Sequence, residues 1–169
     1  MGLVEPTGDK EKLHVANILS QNYLPQIKDS SKARLAVAAL VDLACQPGHK
    51  PTTLAVIAKR QGVSASYLEQ LFAKLLAGGL IKSVRGPGGG YILARPGHEI
   101  TIADIIGAMF ETGDIAPVQA VEGANLKAQM EMLWQTMERE VAKFLKSVTV
   151  QDVLSGKLAE TAVNRLSAE

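Results

Sequence analysis

The fold is decided by one stretch of the sequence, RQGVSASYLEQLFAKLLAGGLIKSV, which runs from Arg60 to Val84. The stretch places a glycine turn, Gly62-Val63-Ser64, between two segments whose apolar residues have helical spacing. Ser64 can cap the second helix, because a serine side chain accepts a hydrogen bond from a backbone N–H of the first turn. The pattern predicts one helix over 54–61, preceded by capping threonines, and a second over 66–77, ended by two glycines.

A short hairpin is predicted after the second helix. Strand-like runs over 81–84 and 90–94 flank the sequence RGPGG at 85–89, whose composition is typical of a tight, polar tip. A helix over 30–46 precedes the glycine turn, and a helix over 102–109, capped by a threonine, follows the hairpin. Three helices followed by a two-stranded wing have the plan of a winged helix-turn-helix.

A long helix is predicted over 125–146, because apolar residues recur there at three- and four-residue steps. At 1.5 Å per residue its length is ~33 Å, so a small domain cannot cover it, and an exposed apolar face would need a partner. We therefore expect a mainly α fold with a small β-hairpin wing: a winged helix-turn-helix plus a long dimerisation helix. The residues expected at the dimer interface are Leu126, Met130, Leu133, Trp134, Met137, Val141, Phe144 and Leu145.

The pattern divides the chain into five segments. They are an N-terminal extension (1–29), the winged helix-turn-helix domain (30–110), a loop of the sensing type (111–124), the dimerisation helix with a following short helix (125–154) and a C-terminal tail (155–169). No apolar run reaches the ~18 residues of a membrane span, and the first residues do not resemble a signal peptide. We therefore expect a cytoplasmic protein, and the single cysteine, Cys45, agrees with that, because it has no partner for an intrachain disulfide.

Charge is distributed unevenly along the chain, although the net charge is only +1. The residues from Lys50 to Arg95 include seven basic side chains and one acid, which gives +6. The residues from Thr101 onward include six basic and ten acidic side chains, which gives −4. A basic block beside an acidic one favours a polyanion as partner of the first block, although ordinary surface variation can produce the same distribution.

The second helix of the glycine-turn pair has side chains suited to reading DNA. Its N-terminal end carries Ser64, Ser66, Tyr67, Glu69 and Gln70. The N-terminal end of such a helix enters the major groove, where Gln70 can bind adenine through two hydrogen bonds and Glu69 can accept one from cytosine.

The tip of the hairpin carries Arg85 between Val84 and a run of glycines. A guanidinium at that point suits a narrow minor groove. The alternative, a phosphate-binding loop, does not fit, because the glycines lack the Lys-Ser/Thr of a Walker motif and no helix follows them. A nucleophile–base pair and a metal cluster are also missing from the sequence pattern, so we do not expect an enzyme.

Two runs resemble the Rrf2 family of bacterial regulators, and within it the iron–sulfur cluster regulators. They are QGVSASYLEQLF at 61–72 and GLIKSVRGPGGGY at 79–91, and the likeness extends over roughly 31–154. It implies a homodimer of winged-helix domains that binds DNA, with the Ser-Lys-x-Arg segment of the family at 31–34. Ala33 and Leu35 replace the Gly and Tyr that are common there. The residues expected to contact DNA are Ser31, Lys32, Arg34, Ser64, Ser66, Tyr67, Glu69, Gln70, Lys74, Arg85, Gly86, Gly88 and Tyr91.

The sensing loop departs from the cluster-binding members of that family. Those members bind an iron–sulfur cluster through three cysteines before the long helix, whereas 111–127 has none; Ala128 and Glu131 align with the last cysteine and the histidine. Cys45 is expected to be a small buried side chain on the first helix. We expect no cluster and no other cofactor or metal, since the three histidines (His14, His49 and His98) are dispersed.

The expected function is that of a sequence-specific regulator, and we expect a repressor, acting as a homodimer on a palindromic operator. Its signal stays open between a partner protein, a small molecule and control by protein level alone. The alternative from another class is an interaction module that has lost DNA binding.

Overall fold

The structure is a computed structural model that describes residues 31–109 and 124–158. The expected N-terminal extension, nearly all of the sensing loop and most of the C-terminal tail lie outside the described residues. The division of the chain into five segments therefore stays a prediction.

The described residues form six α-helices and one antiparallel hairpin, as the sequence predicted. In chain order they are α1 (Ser31–Ala44), α2 (Leu54–Gln61), α3 (Ala65–Ala77), β1 (Ile81–Val84), β2 (Gly90–Leu93), α4 (Ile102–Met109), α5 (Ala124–Ser147) and α6 (Val150–Ser155). In the hairpin, Ile81 pairs with Leu93 and Val84 pairs with Gly90. None of the described helices is long and apolar enough to cross a membrane.

One predicted position on α1 is wrong. Cys45 was expected on the buried face of a helix ending at Gln46, but α1 ends at Ala44 and the cysteine is exposed. The reason is the following Pro47, which starts a separate 3₁₀ turn and fixes the direction of the chain after the helix. Cys45 therefore does not fill a core position.

The main hydrophobic core lies between α1, α3 and α4. Leu40, Leu68, Phe72 and Ile105 have no exposed surface there, and Ile57 of α2 closes one side. α3 contributes one face to this core and leaves the opposite face open, as expected of an amphipathic helix on a domain surface. The core thereby fixes which side chains of α3 point outward.

A second, smaller cluster joins α1, α4 and α5. Ala33, Ala103, Ile106 and Leu145 are buried together, and Val141 packs against them. Leu145, predicted at the dimer interface, is thus covered within its own protomer, and any part it takes in a contact between protomers stays a prediction. The sequence pattern could not separate it from its neighbours, since apolar spacing does not tell which partner covers a residue.

Hydrogen bonds fix the end of α5 to the start of α4. Thr101 caps α4 by accepting from the N–H of Asp104 at 3.1 Å, and Thr149 caps α6 by accepting from the N–H of Asp152 at 3.2 Å. Between these caps, the N–H of Ile102 donates to the carbonyl of Val148 at 2.8 Å. The long helix is thus attached firmly to the winged-helix domain at its C-terminal end.

Candidate nucleic-acid interface

The turn between α2 and α3 is built by capping groups at both ends. Thr53 caps α2, and Gly62 ends it in the left-handed conformation at φ +67°. Ser64 then starts α3, and its hydroxyl accepts a hydrogen bond from the N–H of Tyr67 at 3.2 Å. Because Gly62 and Ser64 cap the two helix ends that meet at this short turn, the two helices form one rigid unit.

The N-terminal half of α3 presents polar side chains to solvent. Ser64, Ser66, Glu69 and Gln70 are exposed, and Tyr67 is half-buried. These five residues are the ones that the sequence predicted for the major groove, and the structure brings them together on one end of one helix. Their contact with DNA stays a prediction.

The wing is attached to the helices at two points through β2. Thr52, just before α2, exchanges two backbone hydrogen bonds with Tyr91, of 3.0 and 2.8 Å. The Tyr91 ring stands edge-on to Phe72 of α3, with centroids 4.9 Å apart and an interplanar angle of 76°. Tyr91, predicted as a DNA contact, is thus part of the support beneath the wing, and any contact it makes with DNA stays a prediction.

Glycines shape the tip of the wing around Arg85. Gly86 and Gly88 have φ values of +102° and +75°, which L side chains rarely adopt, and an added Cβ would meet nothing within 4 Å at either. The backbone at the tip is therefore bare, and Arg85 itself is exposed. A bare backbone beside an exposed guanidinium allows a close approach to a phosphate or a groove floor.

The basic residues of the +6 block fall into two groups. Three are bound to the protein itself: Arg60 to Asp42 at 2.7 Å, Arg95 to Asp104 at 3.7 Å, and Lys74 to the carbonyl of Met109 at 3.3 Å. Lys74, predicted as a DNA contact, thus reaches toward α4, and its contact with DNA stays a prediction.

The other basic residues of the block are exposed and form no ion pair with the described part of the chain. They are Lys50, Lys59, Lys82 and Arg85. Lys32 and Arg34 are also exposed, near Ser31, where the described part of α1 starts. These side chains can serve as phosphate contacts, because their charge is not already satisfied by a described acidic residue.

Sequence reasoning missed the role of Thr52. The sequence pattern indicates Thr52 only as a possible helix cap, whereas Thr53 makes the cap and Thr52 is 7% exposed and pairs with the wing. The pairing joins residues 39 positions apart, Thr52 and Tyr91, so no local pattern signals it.

The comparisons with known proteins identify the family. The model of the family described as "Rrf2: Iron-dependent Transcriptional regulator" matches residues 29–156, and the chain belongs to the Rrf2 family. The HTH-type transcriptional regulator IscR of Pectobacterium carotovorum is 37% identical over 142 residues, which cover 83% of this chain and 87% of the relative. The IscR of Photorhabdus laumondii is 39% identical over 130 residues, covering 76% and 79%.

Solved structures with similar sequences have the same fold. The IscR of T. potens superimposes with a TM-score of 0.62 at 38% identity and covers 76% of this chain and 86% of its own. CymR, the global cysteine regulator of B. subtilis, gives 0.63 at 36% identity, covering 75% and 95%. The chain is therefore a winged helix-turn-helix transcriptional regulator that binds DNA.

The side chains present do not fit an iron–sulfur cluster of the kind that the description "iron-dependent" suggests. Such clusters are held chiefly by cysteine thiolates, and the whole sequence has one cysteine. Cys45 lies exposed beyond the end of α1, and no group of three His, Cys, Asp or Glu side chains in 31–109 and 124–158 could hold a metal ion. One exposed thiol cannot supply the several thiolates that such a cluster requires.

Proposed function

We propose that this protein is a repressor that binds a palindromic operator as a homodimer and does so without an iron–sulfur cluster. The observation that carries the proposal is the polar end of α3 beside a wing that is anchored to the same helix. Because Tyr91 packs on Phe72, the wing that carries Arg85 is joined to the helix that carries the residues proposed for the major groove. A rigid pair of reading elements reduces the ordering cost of binding.

Each element has a distinct task in the proposed complex. Gln70 and Glu69 contact base edges in the major groove, and Ser64 and Ser66 contact bases or phosphates beside them. Glu69 is costly near phosphates, so it selects among bases rather than adding affinity. Arg85 enters the adjacent minor groove from the wing tip.

The long helix α5 supports the proposal of a homodimer. Its apolar stripe includes Leu126, Leu133 and Phe144, which are 53%, 51% and 47% exposed in the single chain. Large apolar side chains in a row along 24 residues are costly to leave in water. Pairing with a second copy covers them and places two reading heads on one DNA duplex, in half-sites spaced by whole helical turns of ~34 Å.

The proposal is tested by selecting DNA fragments that the purified protein retains at moderate salt, followed by footprinting. We expect one enriched sequence with two-fold symmetry and protection on both half-sites. A reporter driven by the enriched promoter should be expressed more strongly when the protein is removed. Retention that does not depend on sequence would contradict DNA reading, and weaker reporter expression on removal would contradict repression.

Two arginine variants separate a DNA contact from a structural one. Arg85→Ala should weaken operator binding and reduce the magnitude of the slope of log affinity against log salt by about one, because one bound positive charge no longer releases counterions from the DNA. Arg95→Ala is the matched control, since Arg95 is bound to Asp104 within the protein. We expect the slope of the control to equal that of the original protein. Equal slopes for the original protein and both variants would show that Arg85 does not contact the DNA.

The absence of a cluster is tested by the visible absorption spectrum of protein purified without oxygen. We expect no broad band in the iron–sulfur region and unchanged operator binding after treatment with an iron chelator. A cluster band, or binding that the chelator changes, would contradict the proposal. Without a cluster, we propose that a partner protein or a small molecule supplies the signal.

A further inference from the structure

The outward face of α3 changes in chemical character along its length. Four residues of the helix are buried in the core: Leu68, Leu71, Phe72 and Leu75. Successive residues are about 100° apart around the helix axis. The residues within about 30° of the direction opposite to this buried face are Ser66, Gln70, Ala73 and Ala77. All four are exposed. The stripe is therefore polar in its first half and ends in two methyl groups.

Ala73 is the methyl group closest to the polar half. It lies one turn beyond Gln70, so the two Cβ atoms are ~5–6 Å apart on the same face. It also points more directly away from the core than Glu69, which lies on the flank of the stripe. If Gln70 reaches a base edge, the Ala73 methyl faces the same groove, about one to two base pairs further along.

The major groove offers one apolar feature to such a methyl group. Among the four bases only thymine carries a methyl group there, at C5, while the other positions present donors and acceptors. A small apolar side chain cannot satisfy those polar positions, but it can pack on the thymine methyl and exclude water from it. No charge on the outward stripe competes with that contact.

We propose that Ala73 is a specificity-determining residue that reads a thymine methyl group next to the base contacted by Gln70. This inference rests on the proposed function, because it assumes that α3 enters the major groove of an operator. It adds a base preference that hydrogen-bonding residues alone would not produce.

The inference is tested with the operator recovered by DNA selection. Each thymine of one half-site is replaced in turn by deoxyuracil, which removes the methyl group and leaves the hydrogen-bonding edge unchanged. We expect one position beside the Gln70 contact at which the original protein loses affinity about fourfold, the effect of one buried methyl group. For Ala73→Gly, thymine and uracil at that position should bind equally well.

Ala77→Gly is the matched control, because it makes the same change on the same stripe one turn further from the groove. Both glycine variants lower the stability of the helix, so thermal unfolding is recorded for each. Only the ratio of affinities for the thymine and uracil operators is compared between them. The control should keep the fourfold ratio. If Ala73→Gly keeps the fourfold ratio of affinities and still binds DNA selectively, the inference is overturned but the proposed function is not. If the original protein retains DNA without sequence preference, the proposed function is overturned as well.

Discussion

Gly62 determines the geometry of the turn between α2 and α3 at the scale of a single residue. Its φ of +67° lies in the left-handed region, which costs an L side chain ~1–2 kcal/mol. Nothing lies within 4 Å of an added Cβ, so the cost of a side chain there is purely conformational. The residue type is therefore set by backbone angle and not by packing.

Gly62→Ala should lower the free energy of unfolding by ~1 kcal/mol, because the alanine must adopt the strained conformation. The measurement is urea unfolding followed by circular dichroism. Gly107→Ala is the control: Gly107 lies inside α4, also with open space around an added Cβ, but without a positive φ. It should raise the free energy of unfolding by up to ~1 kcal/mol. Shifts of the same sign in both variants would refute the conformational explanation.

The wing is positioned at the scale of elements by the close approach of β2 to the segment before α2. A Cβ added at Gly90 would lie 2.5 Å from the carbonyl of Thr52, and the φ of Gly90 is +153°. Both observations require glycine at this position. The strand can thus lie against the start of α2 only while that position lacks a side chain.

Gly90→Ala should push the wing away from α2 and weaken operator binding by about tenfold, since loss of one arginine contact costs ~1–3 kcal/mol. Binding is measured by fluorescence anisotropy with a labelled operator, and folding by circular dichroism. Gly97→Ala, where an added Cβ meets only ordinary contacts from 3.6 Å, should leave affinity unchanged. Full affinity in a folded Gly90→Ala protein would show that wing position does not matter for binding.

The elements also show how far the sequence predicts the structure. The bounds of α2 were predicted to the residue and those of α3 to within one residue, because capping by Thr53 and Ser64 is a local interaction. Burial of Leu145 and the pairing of Thr52 were not predicted, because both depend on residues distant in the chain. Interactions between neighbouring residues therefore predict the helices and where they end, whereas contacts between distant residues decide which helix faces remain exposed.

The same difference between local and distant interactions applies to the residues that are proposed to contact DNA. Exposure of Glu69 and Gln70 followed from the spacing of apolar residues on α3. The partners of Lys74 and Arg95 could not be predicted, because a basic side chain in the sequence looks alike whether it binds phosphate or an internal acceptor. Only the packed structure separates the two groups of basic residues.

At the scale of the whole molecule, the two parts of α5 differ in how they are covered. The C-terminal part of the helix is held by its own protomer through Leu145, whereas Leu133 nearer its other end is 51% exposed. The same helix can therefore be held within one protomer and, in the proposed homodimer, contact the other.

Two variants of α5 should separate these roles. Leu133→Lys should yield monomers, because it places a charge in the proposed dimer interface, and affinity for the full palindrome should fall at least ~100-fold with the loss of bivalent binding.

Leu145→Ala should leave a dimer but lower the free energy of unfolding by ~2–5 kcal/mol, because it opens a cavity in the cluster with Ala33, Ala103 and Ile106. Mass is measured by sedimentation equilibrium and stability by urea unfolding. A Leu133→Lys protein that remains dimeric would place the contact between copies elsewhere on the molecule, and the spacing of the two half-sites would then have to follow from that other surface.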